Sequence, residues 1–452
     1  MSKKTTEMNI SGSITEIADI IKVISHEKRL QILTLVLNEA QDFSSLLIDT
    51  ELQKTALSNH LVKMINVRLI QKVERGKYLI TDDGRELLEL VSSFYQKASI
   101  RQEIERKKLI DRYSHGRKLP MEKSLTIKPV YQPCWISYLG AVSGVMKALG
   151  REEHDLVNTG GYTGYAFALP NVAKGSTCPS GPTALGQMWN EIIKGTDTLG
   201  YATSVYDDHK CYPAQEGQVT SEDRKRATQM FQTVKEAIDD DKPVVLWGVP
   251  IPEYGIVTGY QENKNYLVST FRRLQNQPDT PIAFDALQAP GALHAIIFDK
   301  QYTEITANRD KLTLQRAITL AEGQLTEANY VAGAQAYEEW ASVLEKGTEI
   351  IYHGNSYVNE CTIEAKVIAA EFLKRLAAKY QDQPFASLLN EAAEEYSKIV
   401  TSLTSFREIF PFAMEGEMTE EKCLKGAQIL REAIPLEKQA LALLKNAYEN
   451  WN

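Results

Sequence analysis

The chain of 452 residues has no cysteine before position 134, and its five cysteines are an odd number, spread widely over the remainder. Such spacing argues against a disulfide framework and favours a reducing compartment, so a cytoplasmic location is expected. No apolar run approaches the length of a signal core or a membrane span, and no membrane partner is expected. Histidine is scarce as well, with seven residues in all and none between His209 and His294.

Charge is unevenly distributed along the chain. Residues 1–130 carry 22 Lys and Arg against 17 Asp and Glu, a balance of +5, whereas the whole chain has a net charge of −8. The remainder therefore carries −13. A basic N-terminal part on an acidic remainder favours contact with nucleic acid through one end only.

The N-terminal part has the pattern of a helix-turn-helix followed by a β-hairpin. Amphipathic helices are predicted at 26–36 and near 42–48. Residues 52–64 have apolar side chains on one face and small or polar ones on the other, as in a recognition helix. Residues 69–81 are predicted to form two strands around a basic turn, in which Gly76 supplies the permissive backbone.

Two predicted elements carry the expected contacts with double-stranded DNA. The outer face of the recognition helix would reach base edges in the major groove, and the basic turn would touch phosphates. The residues concerned are Lys54, Thr55, Ser58, Asn59, His60, Lys63, Arg75 and Lys77. A small helical domain that only packs against a neighbour is the alternative.

This region resembles the ArsR-type winged-helix regulators over about the first 90 residues. The matching positions are 27–33, 58–61, Met64, 69–70, 79–81 and Gly84. The resemblance implies a winged helix-turn-helix fold and transcription regulation. The family usually has Gly where this chain has Arg68, so a less tight turn is expected there. Metal-sensing members carry clustered cysteines near the helix before the recognition helix. Residues 42–52 contain neither Cys nor His, so a thiolate metal sensor is not expected.

Four segments are predicted, giving a multidomain α+β fold class. Residues 1–90 form the DNA-binding domain, and 91–125 a dimerisation or linker helix. Residues 126–300 form an α+β domain, and 301–452 an all-α domain without a convincing strand. The charged helix predicted from 85 to 112 has a thin apolar seam, which favours a homodimer; a solvated spacer helix is the alternative.

Cys134 precedes a helical pattern in the α+β domain. A cysteine at a helix N-terminus is expected to have its thiolate stabilised by the helix dipole and the free amides, and Gln132 offers an oxyanion donor. Strands are predicted at 242–249, 252–260 and 266–268. A Cys-headed helix followed by a late antiparallel sheet resembles papain-like folds of the bacteriocin-processing peptidase type. Those enzymes need a His at the start of the second strand, where this chain has Glu253 or Tyr254.

The same region also resembles the N-terminal domain of the butirosin biosynthesis protein H family, over about residues 130–300. The matching parts are Cys134 with its helix, 160–167, 243–248 and 252–260. The resemblance implies a papain-like fold and transfer of an aminoacyl group from a carrier protein to an aminoglycoside. The family typically has His directly before the Cys, where this chain has Pro133. The implied acyl transfer therefore lacks its imidazole.

A small-molecule pocket is predicted from aromatic and polar residues of this domain, although packing of an aromatic core is the plainer explanation of most of them. Its residues are Cys134, Trp135, Tyr162, Tyr165, Glu253 and Tyr254. The 160–164 glycine run is interpreted as a turn rather than a phosphate loop. His209 and Cys211 alone are too few for a metal site, and neither a metal nor a cofactor is expected. His353 indicates a pocket wall or a helix-connecting turn.

These patterns together predict a one-component DNA-binding regulator that senses an unknown small molecule through a catalytically degenerate papain-like or acyltransferase-like domain. A homodimer would place two recognition helices about one DNA turn apart. One alternative is a Cys134-dependent acyl or aminoacyl transferase with an appended winged helix. Another is an interaction adaptor whose helical tail binds a partner protein.

Overall fold

The computed structural model describes residues 13–37, 39–50, 52–73, 76–97, 121–213, 219–275, 277–302, 308–347 and 350–451. The chain divides into two compact units, Met1–Leu119, called the head below, and Pro120–Asn452, called the body. Each unit has its own hydrophobic core. Within the described residues, no helix combines the length and the apolar character needed to cross a membrane.

The head combines helices with a small antiparallel sheet. Its helices are α1 (Ile14–Ile24), α2 (Glu27–Leu35), α3 (Phe43–Thr50), α4 (Lys54–Asn66) and α5 (Asp82–Lys97). Its strands are β1 (Gln41–Asp42), β2 (Ile70–Val73) and β3 (Lys77–Ile80), in the order β1-β3-β2. The three helices and the hairpin predicted between 26 and 81 are confirmed, with helix ends within two residues of the prediction.

Helix α4 is held by one apolar stripe. Leu57, Leu61 and Met64 recur at the i, i+4, i+7 spacing and are buried in the head core together with Ile32 and Leu46. Burying one such side chain stabilises the fold by about 1.5–3 kcal/mol. Because the stripe is confined to one side, the opposite side of α4 is left for exposed residues, which are mainly polar and include one apolar residue, Val62.

The turn after α4 is tight, which corrects the expectation of a looser turn at Arg68. Arg68 has a φ of 58°, in the left-handed region that glycine adopts most easily. Its N–H donates to the carbonyl of Ile65 at 2.9 Å, and the N–H of Leu69 donates to the carbonyl of Met64 at 3.0 Å. These two hydrogen bonds end the helix in the way that is usual where glycine occupies this position. At the hairpin, Gly76 has the predicted positive φ, 81°.

The body is larger and mixes both kinds of element. Its helices are α6 (Ser137–Ala148), α7 (Leu156–Thr163), α8 (Met188–Asp197), α9 (Ser221–Asp239), α10 (Arg309–Ala321), α11 (Ala334–Lys346), α12 (Tyr352–Lys379), α13 (Ala386–Ile409) and α14 (Glu420–Glu449). Its strands are β4 (Glu122–Ser124), β5 (Asn171–Ala173), β6 (Tyr201–Asp207), β7 (Val244–Trp247), β8 (Tyr254–Gln261), β9 (Asn265–Ser269), β10 (Ile282–Ala283), β11 (His294–Tyr302) and β12 (Tyr330–Ala332).

Seven of these strands form one antiparallel sheet. The order is β10-β9-β8-β7-β11-β6, and β4 also pairs with β8. Every residue of β7 is buried, as expected of a central strand covered on both faces. The three strands predicted between 242 and 268 are confirmed as β7, β8 and β9.

The segment after residue 302 is mainly helical, as predicted, but the prediction that it contains no strand is wrong. Strand β12 pairs with β5, in the register Tyr330 to Ala173 and Ala332 to Asn171. The backbone of the C-terminal segment is therefore hydrogen-bonded to that of the middle segment.

The glycine run at 160–164 is also corrected, because most of it is helical. Gly160 and Gly161 lie inside α7, and Gly164 ends that helix with a φ of 80°. A Cβ at Gly161 would stand 2.1 Å from the ring of Phe372, and one at Gly160 would stand 2.6 Å from Ile368. The glycines therefore allow α7 to approach α12 closely.

Candidate functional site

In the head, helix α4 presents a polar face to solvent. Lys54, Thr55, Ser58, Asn59 and Lys63 are exposed, and the apolar stripe of the same helix is buried. Lys77 is exposed at the start of β3, whereas Arg75 lies outside the described residues. The structure therefore brings six of the eight predicted DNA-contacting residues to the surface, on one helix and the adjoining strand.

His60 has a different setting from its neighbours on α4. Its Nδ1 accepts a hydrogen bond from Nε of Arg29 at 3.3 Å, and its ring packs edge-on against His26 with centroids 4.5 Å apart. Burial and the nearby His26, Arg29 and Lys63 charges lower the pKa of His60, which favours the neutral ring that can accept this bond. His60 thus joins α4 to α2.

In the body, helix α6 begins at Ser137, three residues after Cys134. The Oε2 of Glu364, on α12, accepts the N–H of Ile136 at 2.9 Å and the thiol of Cys134 at 2.9 Å. The helix-start amide, which was expected to stabilise a Cys134 thiolate, therefore donates to a carboxyl group from a distant helix. Burial, followed by the charge of Glu364, raises the pKa of Cys134 well above its usual value. The expectation of a stabilised thiolate is wrong, because burial and the charge of Glu364 outweigh the helix-start amide of Ile136, which favours the thiolate.

Gln132 is engaged within its own loop and with α6. Its Nε2 donates to the carbonyl of Val130 at 2.8 Å, and its Oε1 accepts from Lys147 at 3.1 Å. Both ends of the amide thus have partners other than Cys134, and its predicted role as an oxyanion donor gains no support.

The carboxyl group of Glu253, just before β8, accepts hydrogen bonds from two hydroxyl groups. Tyr357 donates to its Oε1 at 2.5 Å, and Ser137 donates to its Oε2. Ser137 also accepts the N–H of Tyr254 at 3.0 Å, which ties Glu253 to the start of α6 and of β8. Burial raises the pKa of Glu253 to about 7, although both hydroxyl bonds oppose the shift.

Tyr357 belongs to a group of four rings that contact one another and are called the aromatic cluster below: Trp135, His353, Tyr357 and Phe412. Trp135 meets Phe412 edge-on at 4.7 Å between centroids, and His353 stacks on Tyr357 at 5.8 Å. Trp135 and Phe412 are 39% and 43% exposed, so the cluster reaches the surface. His353 lies in the first turn of α12, and its Nδ1 is buried and has no hydrogen-bond partner among the residues that the structure describes.

The remaining predicted pocket residues lie deeper or elsewhere. Tyr254 is buried and shares a contact of 3.3 Å between its hydroxyl group and Nδ1 of His294. Tyr165 is 1% exposed, and its ring stacks on Tyr138 at 5.4 Å. Tyr162 belongs to another network, in which its hydroxyl group donates to Asp310 at 3.1 Å and accepts from Arg309 at 2.7 Å. The structure therefore gathers Cys134, Trp135 and Glu253, but it does not gather Tyr162.

The weak metal candidate has other partners in the structure. Nδ1 of His209 lies 3.2 Å from Asp207, and the thiol of Cys211 points to the carbonyl of Tyr212 at 3.7 Å. In the part of the chain that the structure describes, no group of three or more His, Cys, Asp or Glu side chains is placed to hold a metal ion.

Sequence reasoning missed the residues that complete this site: Ser137, Tyr357, Glu364 and Phe412. Three of them come from the C-terminal segment, more than 200 residues away from Cys134, and no local pattern connects the two stretches. The sequence offered one signal, the charged residues Glu360, Glu364 and Lys366 among the small and apolar residues of α12.

No protein-family model matches the chain, and no curated protein is significantly similar to it. What the protein does is therefore argued from its surfaces and its buried groups.

Proposed function

We propose that the protein is a one-component transcription regulator whose head binds double-stranded DNA and whose body binds a small molecule. The exposed polar face of α4 is the observation that carries this proposal. Five exposed side chains on one face offer two ammonium groups, two hydroxyl groups and an amide. These are the groups that contact phosphates and base edges in a major groove.

The order of elements in the head supports a winged helix-turn-helix fold. Helices α2, α3 and α4 are followed by the β2–β3 hairpin, and β1 adds a third strand beside β3. In this fold α4 is the recognition helix. Asn59 is suited to read a base, because its amide can donate and accept at once, and Lys54, Lys63 and Lys77 are suited to neutralise phosphates. His60 has a positioning role, since it holds α4 against α2 through Arg29.

Two apolar faces of the head support a homodimer. Helix α1 exposes Ile14, Ile17 and Ile21, which share one face at the i, i+3, i+7 spacing. Helix α5 exposes Leu90 and Phe94, the latter by 72% of its surface. The predicted seam beyond residue 97 lies outside the described residues. Exposed apolar stripes of this kind are commonly covered by a second copy of the chain.

The setting of Cys134 supports ligand binding rather than turnover in the body. A thiol nucleophile needs an acceptor that takes its proton, and here the acceptor is a carboxyl group, whose ordinary pKa is about 4 units below that of a thiol. His294 bonds to Tyr254, and His353 stacks on Tyr357. These contacts fit a body that has the form of a Cys enzyme and serves as a sensor.

The DNA proposal is tested with the full-length protein. Selection from a random DNA pool should recover a preferred site, and fluorescence anisotropy should then show that Asn59→Ala relaxes the sequence preference. Lys63→Ala should weaken all sequences alike and reduce the salt slope by about 1. Lys22→Ala, an exposed charge on α1 paired with Asp19, is the matched control and should retain affinity. Failure to enrich any sequence at moderate salt contradicts the proposal.

A second candidate, acyl transfer through Cys134, is favoured by one observation. The carboxyl group of Glu364 lies 2.9 Å from the Cys134 sulfur, within reach of the thiol proton. Incubation with an acyl-thioester and an amine distinguishes the two functions by mass spectrometry. A rapid Cys134 adduct that passes to the amine, and is lost in Glu364→Gln, would establish the transferase and remove the sensor proposal for the body.

A further inference from the structure

Carboxyl groups of the body differ in whether the side chain of a Lys or Arg pairs with them. Glu437 is almost fully buried and pairs with Lys366 at 2.7 Å, and Glu360 pairs with Arg407 at 2.7 Å. Glu253 and Glu364 have only hydroxyl, thiol and amide donors among the described residues. Removing an unpaired carboxylate from water is unfavourable, so a positive charge at this place would be bound strongly.

The aromatic cluster supplies the other half of a cation site. Tyr357 links the two halves, because its hydroxyl group donates to Glu253 and its ring lies 6.5 Å from both Trp135 and Phe412. The faces of Trp, Tyr and Phe rings attract cations, most strongly where water is excluded. Trp135 and Phe412 are both partly exposed, which gives a molecule from solvent access to the cluster.

We infer that Glu253 and the aromatic cluster form a binding site for an organic cation, in which the carboxylate meets the positive charge and the rings contact the alkyl groups around it. This inference rests on the proposed function, because it names the chemical class of the molecule that the body senses. A quaternary or tertiary ammonium group fits best, since it combines one charge with an apolar surface. An anion would meet Glu253 and Glu364, and an inorganic ion would gain little from the rings.

The site makes binding depend on pH. With a pKa of about 7, Glu253 is ionised in about one molecule in eleven at pH 6 and in about ten of eleven at pH 8. An affinity that requires the ionised form is reduced by that fraction, so the cation binds about tenfold more tightly at pH 8 than at pH 6. Binding at pH 6 then releases about one proton for each cation.

Choline and its uncharged isostere 3,3-dimethylbutan-1-ol are the probes for calorimetry with the full-length protein. Choline should bind at least tenfold more tightly than the isostere, and Glu253→Gln should remove that difference. Trp135→Leu should weaken choline more than the isostere. Glu371→Gln, an exposed carboxyl group on the same helix as Tyr357, is the control and should bind choline as the unaltered protein does. Equal binding of both probes, or full choline binding by Glu253→Gln, overturns the inference.

Fluorescence anisotropy with the selected DNA, measured with and without choline, distinguishes a failure of the cation site from a failure of the regulator proposal. Intact DNA binding without choline binding overturns the cation site alone. Choline binding that depends on Glu253, in a protein with no DNA preference, supports the site and removes the regulator. A choline-dependent change in DNA affinity that is absent in Glu253→Gln supports both.

Discussion

Glu437 and Glu253 are two carboxyl groups of the same body with opposite surroundings. Glu437 is 2% exposed and accepts a hydrogen bond from Lys366, whose ammonium group also lies 4.7 Å from the ring centre of Tyr396. Among the described residues, Glu253 is bonded only to hydroxyl groups, and one of them belongs to the aromatic cluster. A carboxylate with a built-in cation holds helices together, whereas one without it is free to take up a proton or a ligand.

Breaking the built-in pair should give the largest effect. Lys366→Met leaves Glu437 buried and uncompensated, which we expect to lower the free energy of unfolding by about 3–5 kcal/mol. Denaturation in urea measures the loss. The double substitution Lys366→Met with Glu437→Gln removes the stranded charge and should recover much of the stability. If single and double variants are equally unstable, the ion pair is not the cause.

Neutralising Glu253 should increase the stability of the protein above neutral pH, in contrast to the loss expected for Lys366→Met. Its folded pKa of about 7 exceeds the ordinary 4.5, so its stabilising contribution is complete below pH 4.5 and is lost as pH rises to 7. Two and a half pKa units correspond to about 3 kcal/mol. Glu253→Gln should therefore match the unaltered protein near pH 4.5 and exceed its stability by about 3 kcal/mol at pH 8. A stability difference that does not vary with pH would contradict the raised pKa.

Glu364 also lacks a paired cation among the described residues, and the reactivity of the neighbouring Cys134 thiol reports on its charge. The expected effect is smaller. The charge of Glu364 is the second cause, after burial, of the raised pKa of Cys134. Glu364→Gln should lower that pKa, and the alkylation rate of Cys134 should rise with the thiolate fraction. Cys211, which is exposed, serves as the reference within each sample. An unchanged ratio of the two rates would show that burial alone controls the thiol.

Acid should lower the stability of the head through His60, whereas it raises the stability of the body through Glu253. The effect of His60 should be the smaller one, because its side chain is only partly buried. Burial lowers the pKa of His60, so its contribution is present above the ordinary pKa of 6.5 and is lost as pH falls below it. His60→Gln keeps an acceptor for Arg29 but cannot be protonated in this range. It should therefore reduce the loss of stability of the head as pH falls. Hydrogen exchange in α4 at pH 5 and pH 7.5 gives the readout, and identical pH dependence in both proteins would refute the assignment.

Local patterns predicted the elements well, and long-range contacts account for what was missed. The stripe of Leu57, Leu61 and Met64 defines the buried side of α4 within thirteen residues, so its polar side could be predicted as well. The partner of Cys134 comes from 230 positions further along the chain, and no spacing rule connects the two. The glycine run was ambiguous for the same reason. A glycine can permit a turn or close packing, and Gly161 permits close packing on Phe372.

Arg68 shows a different kind of gap between pattern and structure. The backbone there adopts the geometry that suits glycine, and Arg68 takes it without changing the fold. A non-glycine residue in this region costs about 1 kcal/mol, which a packed head can tolerate. The shape of the turn is therefore set by the bonds to Met64 and Ile65 and by the packing around them.

The pairing of β5 with β12 has a consequence for how such a protein can arise by recombination. A crossover near residue 300 would separate β12 from β5 and Glu364 from Cys134, leaving hydrogen-bonding groups on both fragments without partners. A crossover between head and body leaves each core whole. Recombination is therefore expected to carry residues 120–452 as a single inherited block.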